Sequence, residues 1–166
     1  VYGPGSRHLK GLLSWLEKYG KIGVPFVGKG ENIMPLIHIQ DLVRLLVCVG
    51  RDPKASAKII NAVDDSRVTA RNFLMRIGQL MGKVIRIRPL PKTLLKIAAV
   101  PVDALGNLVG FPFGIGGLVE LMSSDAVFSN VRMKARLDGP LQYPTITEGL
   151  PTLIEWFRCE TQEVCA

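Results

Sequence analysis

Two apolar spacings alternate along this chain, and that alternation restricts its fold more than any other feature. From Ser6, a good helix cap, Leu9, Leu12, Leu13 and Leu16 fall at i, i+3, i+4 and i+7, one stripe of a helix running to about Tyr19 and stopped by Gly20. Pro25-Phe26-Val27 then reads as a short strand entering the turn Gly28-Lys29-Gly30, and Leu36-Ile37-His38-Ile39 as a second extended piece. A helix is expected to begin near Asp41, with Leu42, Val43, Leu45, Leu46 and Val49 as its buried side, and Lys58 to Asn61 reads as a brief strand. Thr69 can cap a helix through Phe73, Leu74, Ile77, Leu80 and Met81 that Gly82 ends. Val84 to Arg88 alternates apolar and basic residues, the period of a half-buried strand. Beyond it, 92–109 reads as a helix interrupted at Pro101, 110–117 as a glycine-rich loop, and 132–137 and 148–158 as helices. Short strands taken in turn with helices define the α/β class.

At 166 residues the chain is long enough for one domain, and 48% hydrophobic residues with 21% charged exclude wholesale disorder. Its longest uncharged run, 104–119, carries five glycines and falls short of the roughly 20 apolar residues a spanning helix needs. Cys48, Cys159 and Cys165 form no CxxC pair, which argues against a zinc site or disulfide scaffold and for a reducing, cytoplasmic compartment. The net charge of +7 permits an anionic partner. Between Ser66 and Val102 stand Arg67, Arg71, Arg76, Lys83, Arg86, Arg88, Lys92 and Lys96, without an acid. These cations alternate with apolar positions, so the solvated side of a helix and strand is the favoured reading, ahead of a membrane surface. Nucleic acid is disfavoured because no aromatics interleave with the charges.

Tests for resident chemistry are negative. Neither GxGxxG nor GxxGxxG occurs among the 17 glycines, and no tyrosine has a lysine four residues on. Gly23 to Lys29 has the GxxxxGK spacing of a phosphate loop, but Gly30 stands where a magnesium-binding hydroxyl belongs, so a β-turn between strands is expected instead. His8 should be solvated, and His38, between Ile37 and Ile39, should be packed and hydrogen-bonded rather than catalytic.

Three segments in series nevertheless resemble one family, the extended short-chain dehydrogenases/reductases of the NAD-dependent epimerase/dehydratase type. Val1-Tyr-Gly-Pro-Gly5 resembles the end of that family's sixth sheet strand. Gly28-Lys-Gly-Glu-Asn32 with Pro35-Leu-Ile-His-Ile-Gln-Asp41 is similar to its GxGxN…HVxD block. Phe128-Ser-Asn-Val-Arg-Met-Lys-Ala-Arg-Leu137, with Tyr143-Pro144 and Glu148 to Trp156, is similar to its closing signature. The resemblance implies that residues 1–166 are the C-terminal part of a Rossmann-type fold with a mostly helical lobe over the substrate. The half that grips the dinucleotide and carries Tyr-x-x-x-Lys would lie upstream, and the isolated portion would be poorly soluble, oligomeric or partner-bound. NAD or NADP would be held mainly by that absent half, with Val1 and Tyr2 beside the nicotinamide through backbone groups. Gly5, Arg7, Met34 and His38 are the implied substrate contacts, with no catalytic and no metal-binding residue on this stretch.

Met34 stands where sugar-nucleotide enzymes of the family often carry Arg, and Val1 where some carry Asn. Both departures suit the branch resembling 3β-hydroxysteroid dehydrogenases, and hence a lipophilic, sterol-like alcohol or ketone, although Arg7 or Lys29 could still meet a phosphate. A sugar-nucleotide epimerase or dehydratase, and a non-catalytic binding or assembly subunit, are the alternatives. A homodimer of the full-length protein, and peripheral membrane contact through the basic and apolar 67–119 region, complete the expectations.

Overall fold

A computed structural model of the chain describes residues 1–55, 58–97, 100, 119–120 and 123–163. Helix α1 (Arg7–Tyr19) starts where Ser6 Oγ accepts the Leu9 amide and buries Leu13 and Leu16. Strand β1 (Val24–Val27) follows, then β2 (Ile33–Met34) and helix α2 (Ile39–Arg51). Strand β3 (Val68–Thr69) leads directly into α3 (Ala70–Met81), capped by Thr69 Oγ1 on the Asn72 amide and ended by Gly82 in the left-handed region at φ 66°. Strand β4 (Ile87–Leu90), a short helix α4 (Val131–Lys134) and the long α5 (Ile146–Glu163) complete the order.

The strands form two small sheets: β1 lies parallel to β4, with Val24 opposite Ile87, and β2 lies antiparallel to β3, with Ile33 opposite Thr69. A parallel bridge joins Tyr2 to His38, the Tyr2 amide donating to Ile37 O at 3.0 Å and the Ile39 amide to Tyr2 O at 2.8 Å. The main core gathers Leu13 and Leu16 of α1, Phe73, Leu74 and Ile77 of α3, and Leu150, Leu153 and Phe157 of α5 around Tyr2. A smaller core joins Ile37 and Leu45 to Met133, Leu137 and Leu141.

Five expectations are corrected. The extended piece at 36–39 is not a strand of its own: β2 is Ile33–Met34, and His38 contributes only the bridge to Tyr2. Helix α2 begins at Ile39 with His38, not Asp41, in the capping position. Its inward stripe is Leu42, Leu45 and Val49, which puts Val43 and Leu46 across the helix, 51% and 61% exposed. Lys58 to Asn61 has no ladder partner: Ile59 is 79% exposed while Ile60 packs on the smaller core. Val84 lies outside β4 and is 66% exposed, because pairing with β1 starts only at Ile87. The glycine-rich segment 110–117 and most of the interrupted 92–109 helix lie outside the described residues, although 92–97 is helical. Among the described residues no helix is long and apolar enough to cross a membrane.

Candidate functional site

Tyr2 is the hub of the site. It is 1% exposed, meets His38 edge-on with ring centroids 5.3 Å apart, and meets Phe73 likewise at 6.3 Å. Its hydroxyl donates toward Thr145 O at 3.3 Å and Asp64 Oδ2 at 3.5 Å. Burial, then the charge of Asp64, push the phenol pKa well above its ordinary value. Its backbone N–H and C=O are both spent in the bridge to residues 37 and 39. Every polar group of Tyr2 therefore faces the protein, leaving Val1, 63% exposed, and the turn at Pro4 and Gly5 beyond the buried Gly3 as the parts able to meet another molecule. Gly3 is required there: at φ +128° a Cβ would lie 2.7 Å from Ile39 Cγ2.

His38 is fully buried and satisfied at both ring nitrogens. Nδ1 accepts the Gln40 amide at 3.3 Å, so Nε2 carries the proton and donates to Thr152 Oγ1 at 3.0 Å, which in turn donates to Gly149 O at 2.8 Å. The ring lies against Tyr143 with centroids 3.8 Å apart. Burial lowers the His38 pKa, opposed by the charge of Asp41, so the neutral tautomer that this chain of bonds demands is the favoured one.

Two buried carboxylates support this arrangement: Asp41, which the sequence marks only as the start of a helix and the end of the HVxD-like block, and Asp64, which it does not mark at all. Asp41 Oδ1 accepts the Gln142 amide at 2.8 Å and Arg44 Nη1 at 3.1 Å, while Oδ2 accepts the Tyr143 amide at 2.8 Å. The start of α2 is thereby clamped to the segment that places Tyr143 over His38. Asp64, 6% exposed, accepts the Ser66 amide at 2.9 Å and faces the Tyr2 hydroxyl. Burial pushes its pKa up to about 6 from 3.8, only partly offset by the bonds from Ser66 and Tyr2.

A carboxyl whose folded pKa is raised holds its proton longer in the native state, so its contribution to stability falls as pH rises from about 4 to 6. At 1.36 kcal/mol per unit the ionised Asp64 costs about 3 kcal/mol. Asp64→Asn removes the titration and keeps an acceptor for Ser66. Its stability relative to wild type should therefore rise by about 3 kcal/mol between pH 3.5 and pH 7.5. Urea titrations at both pH values measure this, and a pH-independent difference contradicts the assignment.

Beside Tyr2 opens an apolar cleft of about 410 Å³ whose walls include Val1, Leu9, Leu12, Phe26, Met34 and Phe73. Val1, Tyr2 and Met34, singled out in the sequence, thus share one cavity, and among the described residues no cationic side chain lines it. Met34 also borders a second cleft of about 350 Å³ with Asp64, Ser66, Arg67, Phe128 and Asn130. Gly5 and Arg7 are exposed at the head of α1, apart from both clefts. Gly23 to Gly30 holds β1 and a turn whose Gly28 amide is bonded to Leu90 O at 2.8 Å, so that amide is not available to a phosphate. Among the described residues no group of three or more His, Cys, Asp or Glu is placed to hold a metal ion.

No family model matches the sequence. The chain is 25% identical over 160 residues to the ceramide reductase of Caulobacter vibrioides (strain NA1000 / CB15N), covering 95% of this chain and 49% of that protein. Among solved structures it superposes on the UDP-glucuronic acid 4-epimerase of Bacillus cereus, solved with NAD. The TM-score is 0.63 at 12% identity, over 96% of this chain and 42% of the other. It superposes equally on a human epimerase family protein solved with NADPH, with a TM-score of 0.66 at 23% identity, over 93% of this chain and 45% of the other. The chain thus spans about half the length of the curated relative and somewhat less than half of the solved structures. Its α/β fold matches the C-terminal portion of the Rossmann-type proteins of the NAD-dependent epimerase/dehydratase and extended short-chain dehydrogenase kind.

Proposed function

We propose that this chain is the substrate-covering part of an NAD(P)-dependent oxidoreductase acting on an alcohol or ketone of a lipophilic molecule. The observation that carries this reading is the cleft beside Tyr2: Met34 lines it where a diphosphate ligand would want a bidentate guanidinium, and its remaining walls are aliphatic or aromatic. Burying a diphosphate there without a cation would be costly, whereas burying a hydrocarbon is favourable. A sequence relative named for reduction of ceramide, a lipid, supports the same substrate class, and a 3β-hydroxysteroid dehydrogenase-like branch is one form of it. The cofactor would supply the hydride. This chain would offer it the exposed Val1 and the turn after Tyr2, while most of the dinucleotide grip would come from sequence upstream of Val1.

A second reading, a sugar-nucleotide epimerase or dehydratase, draws on the other cleft, where Arg67 provides a cationic donor, and on a solved structure that contains UDP-glucuronic acid. Nicotinamide absorbance followed with the full-length protein separates the two. Turnover is expected with sterol-like or long-chain ketones and alcohols and not with UDP- or dTDP-sugars. Met34→Arg should lower kcat/KM on the lipophilic substrate at least about tenfold by placing a cation in an apolar wall. Turnover of sugar nucleotides alone overturns the proposal, and no turnover of either class favours a non-catalytic binding or assembly subunit.

A further inference from the structure

We propose that the end of the molecule where α1 finishes and β1 and β4 begin seats on an anionic lipid surface. Two loops meet there, tied by the Arg86 amide on Gly20 O at 3.1 Å and the Val24 amide on Arg86 O at 2.7 Å. Each loop raises one branched aliphatic residue: Ile22 is 63% exposed and Val84 is 66% exposed. Each of these follows a lysine, Lys21 and Lys83. Ile22 is anchored by its amide on Tyr19 O at 2.9 Å, which brings the loop against the Trp15–Tyr19 pair on α1. Those two rings meet at a tilt of 47° with centroids 5.8 Å apart and both remain partly exposed, and Lys18 Nζ lies 5.2 Å from the Tyr19 ring.

Charge selects the occupant. Residues 15–24 and 82–86 carry Lys18, Lys21, Lys83 and Arg86 against the single carboxylate of Glu17. Among the described residues none of the four cations is in an ion pair. Aliphatic tips framed by lysines, with amphipathic aromatic rings behind them, combine shallow apolar insertion with attraction to acidic headgroups. Two protruding tips are a poor match for the broad, closely packed area of a stable protein interface. Nor do they offer the parallel stacking platforms that single-stranded nucleic acid uses, because the Trp15 and Tyr19 rings are inclined at 47° to each other. The seat is independent of the substrate reading: Lys21, Ile22, Lys83 and Val84 do not line the cleft beside Tyr2, which the seat meets only at the Val24 backbone.

Co-sedimentation of the full-length protein with vesicles of phosphatidylcholine alone, and of phosphatidylcholine with phosphatidylserine, tests this. Binding is expected to the acidic vesicles, weakening as salt rises. Lys21→Glu with Lys83→Glu should reduce it at least about tenfold. Ile22→Ser with Val84→Ser should reduce it by a similar factor without altering the salt dependence. All four side chains project from loops, and an unchanged melting temperature shows that the variants fold. Absence of binding, equal binding to both vesicle types, or binding that neither pair of substitutions weakens overturns the proposal. So does an effect of the substitutions on self-association or RNA retention in place of vesicle binding.

Discussion

Asp41→Ala is expected to lower the unfolding free energy by about 3–5 kcal/mol, a large effect for a single polar substitution. The carboxylate is fully buried and serves three donors: the amides of Gln142 and Tyr143 at 2.8 Å each, and Arg44 Nη1 at 3.1 Å. Truncation strands the two amides, and Arg44 keeps only the carbonyls of Asp138 and Pro140. Asp41→Asn is the more telling variant. An amide has one acceptor oxygen, so its NH2 must face one of the two backbone donors, and a loss of about 2 kcal/mol or more is expected although size is unchanged. Urea unfolding of the protein measures both, and a loss below about 1 kcal/mol for Asp41→Ala would sink the clamp. Because the clamp holds Tyr143 over His38, its loss should also loosen the wall behind Tyr2.

That clamp shows where sequence reasoning stops. Features confined to a few neighbouring residues were legible: Ser6 and Thr69 as helix caps, Gly82 as a left-handed stop, and Leu9 to Leu16 as an inward stripe all stand as their spacing requires. Asp41 looked like the residue opening a helix, because an acid in a first turn suits the helix dipole. Two of its three partners are amides a hundred residues away, and nothing near Asp41 points to them. His38 takes the cap instead, possible only because its other nitrogen finds Thr152 on α5. The packed, hydrogen-bonded histidine was legible from its apolar neighbours; the identity of its partners was not.

Strand readings suffered for the same reason. Ile59-Ile60 and Val84-Ile85 both have strand composition, yet a strand exists only where another backbone lies alongside. Among the described residues neither Lys58 to Asn61 nor Val84 has such a neighbour, whereas Ile87 has Val24. The site was half legible. Val1, Tyr2 and Met34 come together in one cleft, but Asp64 was invisible as a partner of Tyr2. That pairing depends on the bridge of Tyr2 to His38 and the Asp64 amide on Leu36 O, both long-range.

The same hub makes Gly149→Ala unfavourable despite helix propensity. In the interior of α5 alanine is worth up to about 1 kcal/mol over glycine, so an unobstructed position would gain. Here a Cβ would lie 2.7 Å from Tyr2 Cε2 and 2.9 Å from Cζ, with the hydroxyl oxygen closer still. The ring cannot swing aside: its edge contacts fix it against His38 and Phe73, its hydroxyl is bound to Thr145 and Asp64, and its backbone is bridged to His38. Overpacking a site held on every side should cost about 2–4 kcal/mol net. Tyr2→Phe should not rescue the variant, because ring carbons remain within 3 Å. Tyr2→Ala should, so that Gly149→Ala becomes neutral or mildly stabilising in that background. The double-mutant cycle would then return a coupling of more than about 2 kcal/mol. A cost for Gly149→Ala that persists unchanged without the Tyr2 ring would show that α5, and not the packing of Tyr2 on it, sets the requirement for glycine.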